Sequence, residues 1–328
     1  MTIRRTLALL AALAVAAGLF YSVPLSAQLP PLDIGPGDDA CQDPTESVTL
    51  FAGNMSGGKV GYGLTPEELS VPGPTIELTE GTCMQVNLIN DASDRVSFHP
   101  HGVDYSVRSD GTTINGSCVP PGESKTYVIN THVPGTRADG TVQAGSAGYW
   151  TYHDHCLGTV HGTGGLKRGL FGALIVRRPG DPLPTGDTNV LVMSGTQFNL
   201  KRAPKTPIIR VNQGDRVEFV VIAHGELFHT FHLHGHRWAD NRTGYPNGVT
   251  DQTTVIDNKV VGPADSFGFQ VIAGEGVGPG VWMYHCHVQG HSDAGMSGLF
   301  VVRTPEGKVT AQMKRAIARW KEESRGHH

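Results

Sequence analysis

The sequence has no cluster of basic residues and little net charge. Its 328 residues include 26 Lys and Arg against 30 Asp and Glu, a formal net charge of −4 at pH 7. Nucleic-acid-binding proteins concentrate positive charge on one surface, so this composition argues against a nucleic-acid partner. Beyond the first 27 residues no segment is long and apolar enough to span a bilayer, which argues against a membrane protein.

Cysteine is scarce, with five residues in the chain. Four of them could form disulfides in an exported protein, because disulfides persist in oxidising compartments. These four are Cys41, Cys83, Cys118 and Cys156. Four cysteines allow three pairings, and the sequence does not choose among them. The fifth, Cys286, lies between two histidines and needs a different explanation.

The amino terminus has the pattern of an export signal. Arg4-Arg5 precedes an apolar run from Leu7 to Tyr21, and cleavage is expected after Ala27. Residues 1–27 are therefore predicted to be removed and the mature protein to be secreted. The paired arginines suit the twin-arginine route, and equally the positive start of a general secretory signal.

Cys286 belongs to a short segment rich in metal-binding side chains. It stands between His285 and His287, and His291 and Met296 follow it. A thiolate, an imidazole and a thioether are ligands of a mononuclear blue-copper site, which needs one more imidazole from upstream. Neighbouring residues of a strand point to opposite faces, so the two flanking histidines face away from that copper. They predict a second metal centre, joined to the first by a few covalent bonds.

The other histidines supply that second centre. Three further pairs occur: His99-Pro100-His101, His153-Asp154-His155 and His232-Leu233-His234. With the pair around the cysteine they give eight imidazoles, enough for three copper ions. Structural zinc closes with four ligands and non-haem iron uses two histidines and a carboxylate, so neither metal explains the set.

The chain is an internal duplication. Pro74–Gly81 resembles Pro207–Gly214 at an offset of 133 residues, and at the same offset His99 falls on His232. The later pair of each copy matches at an offset of 132 residues. Such self-similarity predicts two copies of one domain.

The mismatches between the copies restrict the cysteine-containing site to the second copy. His229, three residues before His232, is the natural second imidazole of that site. The first copy has Val96, Asp154, Thr159 and Gly164 where the second has His229, Cys286, His291 and Met296. All four His-x-His pairs are kept, so the sequence predicts one blue site and a histidine cluster shared by both copies.

The coarse secondary structure is all-β. Alternating segments such as Ser124–Ile129 and Asp215–Val220 recur between turns rich in glycine and proline. Forty-three glycines and 21 prolines suit the many short turns of a sandwich.

These residues resemble those of the multicopper oxidases, in particular the small two-domain laccases with blue copper in the second cupredoxin domain. The resemblance extends from about Val48 to Arg303 and rests on the His-Cys-His signature and the paired histidines. It implies two tandem cupredoxin-like Greek-key β-sandwich domains. It also implies copper as cofactor, four ions per chain: one type 1, one type 2 and two type 3.

The predicted domain limits follow from this resemblance and from the turn pattern. Residues 28–45 are expected to form an irregular arm, and residues 46–180 the first domain. Residues 181–188, with two prolines, are the predicted linker, and residues 189–304 the second domain. Residues 305–328 are expected to form a tail with a short amphipathic helix.

The resemblance assigns the ligands. The type 1 ligands would be His229, Cys286, His291 and Met296. The type 2 ligands would be His99 and His232, and the type 3 ligands His101, His153, His155, His234, His285 and His287. Cys156 follows His155, but strand alternation places it on the other face and argues against ligation.

Residues beside the ligands have two interpretations each. The resemblance suggests Tyr105 and Asp110 as a redox-active tyrosine and a proton-relay acid, whereas an ordinary strand tyrosine and turn aspartate explain them as well. His161, His224 and His236 lie close to the ligand segments. They either orient ligands or are ordinary core or surface histidines.

The implied activity is that of a laccase. One electron at a time would pass from a phenol or aromatic amine to the type 1 copper, then through Cys286 to His285 and His287. Four such transfers would reduce dioxygen to two waters at the trinuclear cluster. Each domain supplies half of a cluster, so the resemblance to small laccases implies a head-to-tail homotrimer with clusters at the subunit interfaces.

Three alternatives remain open from the sequence. A cuprous, ferrous or manganese oxidase of the same family often has methionine-rich segments, and the seven methionines here are scattered. A copper nitrite reductase has two cupredoxin domains but needs neither His-Cys-His nor four histidine pairs. A copper carrier would explain the Cys286 site alone and leave eight histidines without a role.

Overall fold

A computed structural model describes residues 41–326 of the chain. The predicted export signal, residues 1–27, and residues 28–40 of the predicted arm lie outside the described residues. Within the described part, no helix has both the length and the apolar character needed to cross a membrane.

The first half of the described chain consists of eleven short strands and one helix. The strands are β1 (Glu46–Asn54), β2 (Val60–Gly63), β3 (Ile76–Thr79), β4 (Cys83–Asp91), β5 (His99–Pro100), β6 (Asp104–Tyr105), β7 (Ser124–Asn130), β8 (Gly135–Thr136), β9 (Val142–Gln143), β10 (Gly148–His153) and β11 (Phe171–Arg177). Helix α1 (Thr163–Arg168) lies between the last two strands, and 3-10 turns occupy Ser56–Gly58 and Val107–Ser109.

The second half repeats this pattern with eleven further strands. They are β12 (Asn189–Ser194), β13 (Gln197–Phe198), β14 (Ile208–Asn212), β15 (Arg216–His224), β16 (His229–Leu233), β17 (Trp238–Ala239), β18 (Val255–Ile256), β19 (Asn258–Val261), β20 (Ser266–Ile272), β21 (Gly280–Cys286) and β22 (Ser297–Arg303). Helix α2 (Gln289–Asp293) precedes the last strand, and α3 (Ala311–Glu323) with a 3-10 turn at Ser324–Gly326 follows it.

Each half forms two larger sheets and one two-stranded sheet, β8-β9 in the first half and β17-β18 in the second. In the first half the strand orders are β2-β1-β4-β7-β6 and β3-β11-β10-β5, and in the second they are β13-β12-β15-β20 and β14-β22-β21-β16-β19. The pairs β1–β4 and β3–β11 are parallel, as are their counterparts β12–β15 and β14–β22. The predicted fold class, all-β with two tandem cupredoxin-like sandwiches, is confirmed. The limits 46–180 and 189–304 stay predictions.

Strands β11 and β15 lie at the interface between the two halves, so both faces of each strand are buried. In β15, Phe219 and Val221 point into the second core, whereas Val220 and Ile222 pack against the first half. Ile175 of β11 belongs to the same shared apolar cluster. Burial on both faces explains why these strands read as continuous apolar runs without alternation.

A buried ion pair lies in the same interface. The carboxylate of Glu218, on β15, is fully buried and accepts two hydrogen bonds from Arg177 at 2.8 and 2.9 Å. Further donors to it are the Tyr149 hydroxyl at 2.7 Å, the Thr188 hydroxyl at 2.6 Å and the Gln270 amide at 2.8 Å. A buried carboxylate is stable only when it is paired and hydrogen-bonded, and this one has both kinds of partner.

The structure resolves the pairing that the sequence left open. Cys41 is bonded to Cys83, and Cys118 to Cys156, whereas Cys286 is free and buried. The second disulfide joins the segment that follows His155 to a loop of the first sandwich. Cys156 is therefore a disulfide cysteine and not a metal ligand.

Candidate metal centres

The cysteine site is built from the ends of two paired strands. Phe231 of β16 lies opposite Cys286 of β21, and directly opposed residues of an antiparallel pair share a face. His229, two residues before Phe231, therefore points to the same interior side. The Sγ atom of Cys286 lies 3.8 Å from Nδ1 of His229 and 3.6 Å from Nδ1 of His291. One thiol and two imidazole nitrogens thus converge on a single point.

Met296, the fourth predicted ligand, lies near the cysteine site. It is buried in the core cluster that contains Cys286, and its carbonyl accepts the Cys286 backbone N–H at 3.1 Å. The Met296 N–H in turn donates to the carbonyl of His291 at 3.0 Å. These two bonds bring together the segments that carry the predicted ligands.

The first histidine half-site lies on the first sandwich. His99 of β5 is paired with His153 of β10, so their side chains share one face of the sheet. His101 returns to that face two residues later. Its Nε2 lies 3.1 Å from Nε2 of His153, and the ring of His155 is 5.0 Å from that of His99. All four predicted first-domain ligands are therefore together.

The second half-site repeats this arrangement on the second sandwich. His232 of β16 is paired with His285 of β21. Nε2 of His234 lies 3.1 Å from Nε2 of His285, and the His287 ring is 5.2 Å from that of His285. His285 and Cys286 are adjacent in β21 and point to opposite faces, as the sequence predicts.

Backbone carbonyls fix which imidazole nitrogen is free. Nδ1 of His99 donates to the carbonyl of Asp110 at 2.5 Å, and Nδ1 of His153 to that of Asp154 at 2.8 Å. The same Nδ1 bonds run from His155 to Val160, from His232 to Asp257 and from His285 to Cys286, each at 2.8 Å. A neutral imidazole that donates through Nδ1 keeps the Nε2 lone pair for a metal.

Burial favours the neutral form of five half-site histidines. It is the largest cause of a lowered pKa at His99, His101, His153, His234 and His285. For His101 the pKa falls to about 4, because the neighbouring imidazoles of His99 and His155 add to the effect. Burial also lowers the pKa of His229 to about 4. Metal ligation requires the neutral imidazole, which is the form these positions favour.

The two half-sites remain separate within the chain. Across residues 41–326, the metal-ligating side chains fall into three groups: one around His99, one around Cys286 and one around His232. The sandwich interface does not bring the first and third groups together. Each half-site is therefore an open set of imidazoles.

Tyr105 and Asp110 both lie beside His99. The Tyr105 ring meets the His99 ring edge-on at 5.8 Å between centroids, and burial followed by the charge of Asp110 raises the tyrosine pKa. One carboxylate oxygen of Asp110 is 3.6 Å from Nδ1 of His99, and the other accepts the Thr112 hydroxyl at 2.5 Å. Proximity to a ligand agrees with the functional interpretation of both residues, but their roles stay predictions.

The three neighbouring histidines contact ligands. His161 stacks edge-on with His155 at 5.7 Å, and His224, from the second half, meets the His153 ring at 5.5 Å. His236 accepts the Gly274 N–H through Nε2 at 2.9 Å, so its Nδ1 carries the proton that it donates to the His234 carbonyl at 3.0 Å. The positions agree with an orienting role, which the sequence had left undecided.

Two hydroxyl groups that bind the backbone of ligand histidines were not predicted from the sequence. The hydroxyl of Ser97 accepts the backbone N–H of His155 at 2.9 Å, and the hydroxyl of Thr230 accepts that of His287 at 3.0 Å. Ser97 and Thr230 stand at the 133-residue offset of the duplication. Aligning the two copies at this offset would have identified a hydroxyl shared by both.

Two models of one family match adjoining parts of the chain. Both are described as multicopper oxidase, and they cover residues 68–181 and 182–306. The chain therefore belongs to the multicopper oxidase family.

Three relatives indicate the breadth of that family. A probable nitrite reductase-hydroxylamine oxidoreductase fusion protein of Kuenenia stuttgartiensis is 35% identical over 271 residues, 76% of this chain and 29% of that protein. Hephaestin of Mus musculus is 28% identical over 287 residues, 74% of this chain and 23% of that protein. Laccase-20 of Oryza sativa subsp. indica is 31% identical over 135 residues, 40% of this chain and 20% of that protein. The chain spans less than a third of each relative's length.

A solved structure shares the fold. The blue copper oxidase from Nitrosomonas europaea superposes with a TM-score of 0.54 at 23% identity, covering 80% of this chain and 86% of the other. At that identity the likeness concerns the fold alone.

The donor atoms fit the copper that the family implies. Nδ1 of His153 and of His285 donates to a carbonyl, so the Nε2 lone pair of each ring points to a second imidazole nitrogen 3.1 Å away, where a shared ion could bind. At the other site, Nε2 of His229 is buried without a partner within the described residues, while Nδ1 faces the Cys286 sulfur. Thiolate with imidazole, and imidazole alone, are both donor sets that copper accepts.

Proposed function

We propose that this chain is a laccase-type oxidase. It would take single electrons from phenols or aromatic amines and combine four electrons and four protons with dioxygen to give two waters. The observation that carries the proposal is the division of labour between the sandwiches. One cysteine site occurs in the second only, whereas neutral imidazole half-sites with free Nε2 atoms occur in both.

The residues divide into a type 1 set and a cluster set. His229, Cys286, His291 and Met296 would hold one copper, and the eight paired histidines would hold three, so four coppers are expected per chain. When bound, copper would supply one-electron redox chemistry at the first set and four-electron reduction of dioxygen at the second.

Two short connections join the two sets. Cys286 is covalently linked to His285 and His287, and the rings of these two histidines lie 5.2 Å apart in the second half-site. In addition, Nδ1 of His285 donates to the Cys286 carbonyl at 2.8 Å. The residue that holds the type 1 site is thereby coupled to a cluster ligand through the backbone and through one hydrogen bond.

Complete clusters would form between chains. The half-sites do not meet within one chain, and the His287 side of the second half-site is exposed. A homotrimeric ring, in which the first domain of one copy faces the second domain of the next, would pair every half-site. Heterologous contacts close into rings of this kind when the rotation between copies allows it.

Apolar side chains around the cysteine site support an aromatic reductant. Leu227, Phe228 and Val288 are 41%, 68% and 37% exposed. Phe228 directly precedes His229, and Val288 begins the turn into α2, which carries His291. An aromatic ring could pack on this rim next to the imidazole edges.

Tyr105 and Asp110 are proposed to serve proton and electron supply at the first half-site. The carboxylate of Asp110 accepts hydrogen bonds from Thr112 and from Asn115, at 2.5 and 2.6 Å. It is thus held next to His99 in a fixed orientation, able to pass protons towards the site where water is formed. Tyr105 contacts the same imidazole and would act as an auxiliary electron donor.

One alternative has support of its own. The relative from Kuenenia stuttgartiensis carries nitrite reductase in its name and is 35% identical to this chain. Nitrite reduction would need only one extra three-histidine site, which leaves five of the eight paired histidines without a purpose. Metal-ion oxidation stays a second alternative within the family.

The proposal is tested on the copper-loaded protein. We expect four coppers per chain, one of them blue, and oxygen uptake driven by a phenol with one dioxygen consumed per four phenol oxidations. Parallel reactions with ferrous, cuprous and manganous ions, and with nitrite as acceptor, address the alternatives. Two blue coppers per chain, or nitrite consumption without oxygen uptake, would contradict the assignment.

Export is also proposed, on the strength of the amino-terminal pattern. The disulfides Cys41–Cys83 and Cys118–Cys156 are compatible with an oxidising compartment. Processing after Ala27, detected by mass spectrometry of the protein recovered outside the cytoplasm, tests this.

A further inference from the structure

Asp154 occupies the first-domain position that corresponds to Cys286. Its side chain is fully buried, and backbone N–H groups bind both of its oxygens. Oδ1 accepts the N–H of Ser97 at 2.8 Å, and Oδ2 accepts the N–H of Leu157 at 2.7 Å. A buried carboxylate with two such charge-assisted bonds is firmly held.

These two bonds join the segments that carry the first half-site. Ser97 lies two residues before His99, and Leu157 lies two residues after His155. The Ser97 hydroxyl, 3.4 Å from Oδ1, also accepts the N–H of His155 at 2.9 Å. The carboxylate therefore connects the two chain segments that carry the imidazoles.

Helix α1 is packed against the same carboxylate. A Cβ atom placed on Gly165 would lie 2.3 Å from Oδ2 of Asp154. Gly165 is buried and directly follows Gly164, the counterpart of Met296. Glycine at position 165 therefore lets the helix lie directly against the carboxylate.

In the second domain the side chain at this position faces imidazoles, and backbone bonds join the two segments: the His287 N–H donates to the carbonyl of Thr230 at 2.8 Å. Thr230 repeats the hydroxyl of Ser97, so that bond is common to both copies. The thiol of Cys286, however, faces the Nδ1 atoms of His229 and His291 at 3.8 and 3.6 Å. Those contacts are longer than the bonds that Asp154 makes, and they leave room for a shared ion.

We propose that Asp154 is a positioning residue, which stands where the second domain would hold its type 1 metal and links the two ligand-bearing segments of the first domain. Its carboxylate holds the first half-site in a metal-binding arrangement before any copper is present. The inference concerns the copper-free chain, and only its metal-binding test rests on the proposed function.

The substitution Asp154→Asn separates charge and acceptor number from shape. A carboxylate accepts with both oxygens, whereas an amide has one oxygen and one NH₂ group. In the variant either the Ser97 or the Leu157 N–H would therefore face another donor. Asp139→Asn is the matched control, because it makes the same charge change in the first domain, in an exposed turn.

Hydrogen exchange of the copper-free protein reads out this role without activity. In the wild type, the amides of Ser97 and Leu157 should stay as protected without copper as with it. Asp154→Asn should speed exchange at Ser97 and Leu157 by at least about tenfold, and Asp139→Asn should not. If the Ser97 and Leu157 amides of the wild type lost protection when copper was removed, the proposal would be overturned. This result would hold even if the variant failed to fold.

Copper titration provides the second readout. Asp154→Asn should keep the blue band of the second domain and lose affinity for the cluster coppers by about ten- to a hundredfold, as is usual when the support of a metal ligand is removed. A folded variant with unchanged affinity for the cluster coppers and unchanged hydrogen exchange would contradict the proposal. Changed exchange in a chain that never binds cluster copper would instead refute the proposed function and leave this inference standing.

Discussion

The two sandwiches share one fold but treat the space beneath their histidine pairs differently. In the second, Cys286 and two imidazoles converge there at 3.6 to 3.8 Å. In the first, the Asp154 carboxylate is bound by backbone N–H groups at 2.7 and 2.8 Å. The duplicated frame above this point is unchanged, since both copies present their Nε2 atoms at 3.1 Å. Redox function and structural support are thus alternative uses of one position.

The ring nitrogens show the same division. At the cysteine site Nδ1 of His229 and His291 faces the sulfur. At the half-sites Nδ1 is committed to a carbonyl in five of the eight histidines, and Nε2 faces inward. A histidine's neighbours therefore decide which nitrogen binds, so imidazole donors on one strand can serve two different centres.

The largest effect is expected for the cysteine. Cys286→Ser should abolish the intense visible band and reduce oxygen uptake with a phenol by at least about a thousandfold, more than about 4 kcal/mol in the barrier. Asp154→Ser, the matched change in the first domain, should leave the band intact. Absorption spectra and copper content of both variants measure this. A blue Cys286→Ser protein would refute the assignment of the second-domain site.

The next test concerns the proposed sharing of each cluster between the first domain of one chain and the second domain of another. A chain with His99→Ala and His101→Ala and a chain with His285→Ala and His287→Ala should each be inactive alone. Co-assembled, some interfaces would pair an intact first domain with an intact second domain, and partial activity should return. Mixtures that stay inactive after verified co-assembly, or an isolated monomer that reduces oxygen to water, would count against shared clusters.

Much of this comparison could be predicted from the sequence, because periodicity and pairing are local signals. The four His-x-His pairs and the alternation around Cys286 are enough to predict two faces and two kinds of centre. The sequence could not predict the bonding of Asp154, because its partners are backbone N–H groups and leave no compositional trace. Nor could it predict the Glu218–Arg177 pair, since a charged residue within an apolar strand does not reveal its partner.

That ion pair should set how firmly the sandwiches are joined. Glu218→Gln keeps the shape but leaves Arg177 buried with only Glu77 as a charged partner, and should lower the free energy of unfolding by about 3 kcal/mol. Glu77→Gln is the control, because Glu77 binds the same guanidinium but is 45% exposed. It should cost less than about 1 kcal/mol. Denaturant unfolding of the two variants checks the difference, and equal losses would argue against a special role of the interface.

The same carboxylate predicts an acid-sensitive interface. Burial alone would raise the Glu218 pKa, but hydrogen bonds from Arg177, Thr188 and Gln270 outweigh it and hold the pKa below the ordinary value. A lowered carboxyl pKa adds stability above the unfolded-state value of about 4.3, and this part is lost as the pH falls through the folded-state value. Unfolding temperatures measured from pH 7 to pH 3 should fall less steeply in Glu218→Gln than in the wild type.

The smallest effect is expected at the axial position. Met296→Leu conserves volume in a buried site, so the free energy of unfolding should change by less than about 1.5 kcal/mol. The protein should stay blue, because thiolate and imidazoles are untouched, and its potential should rise because only a weak thioether bond is lost. The first domain offers the contrast, since Gly164 stands at this position and no thioether can contribute there. Redox titration of the blue band decides the matter, and an unchanged potential would remove Met296 from the ligand set.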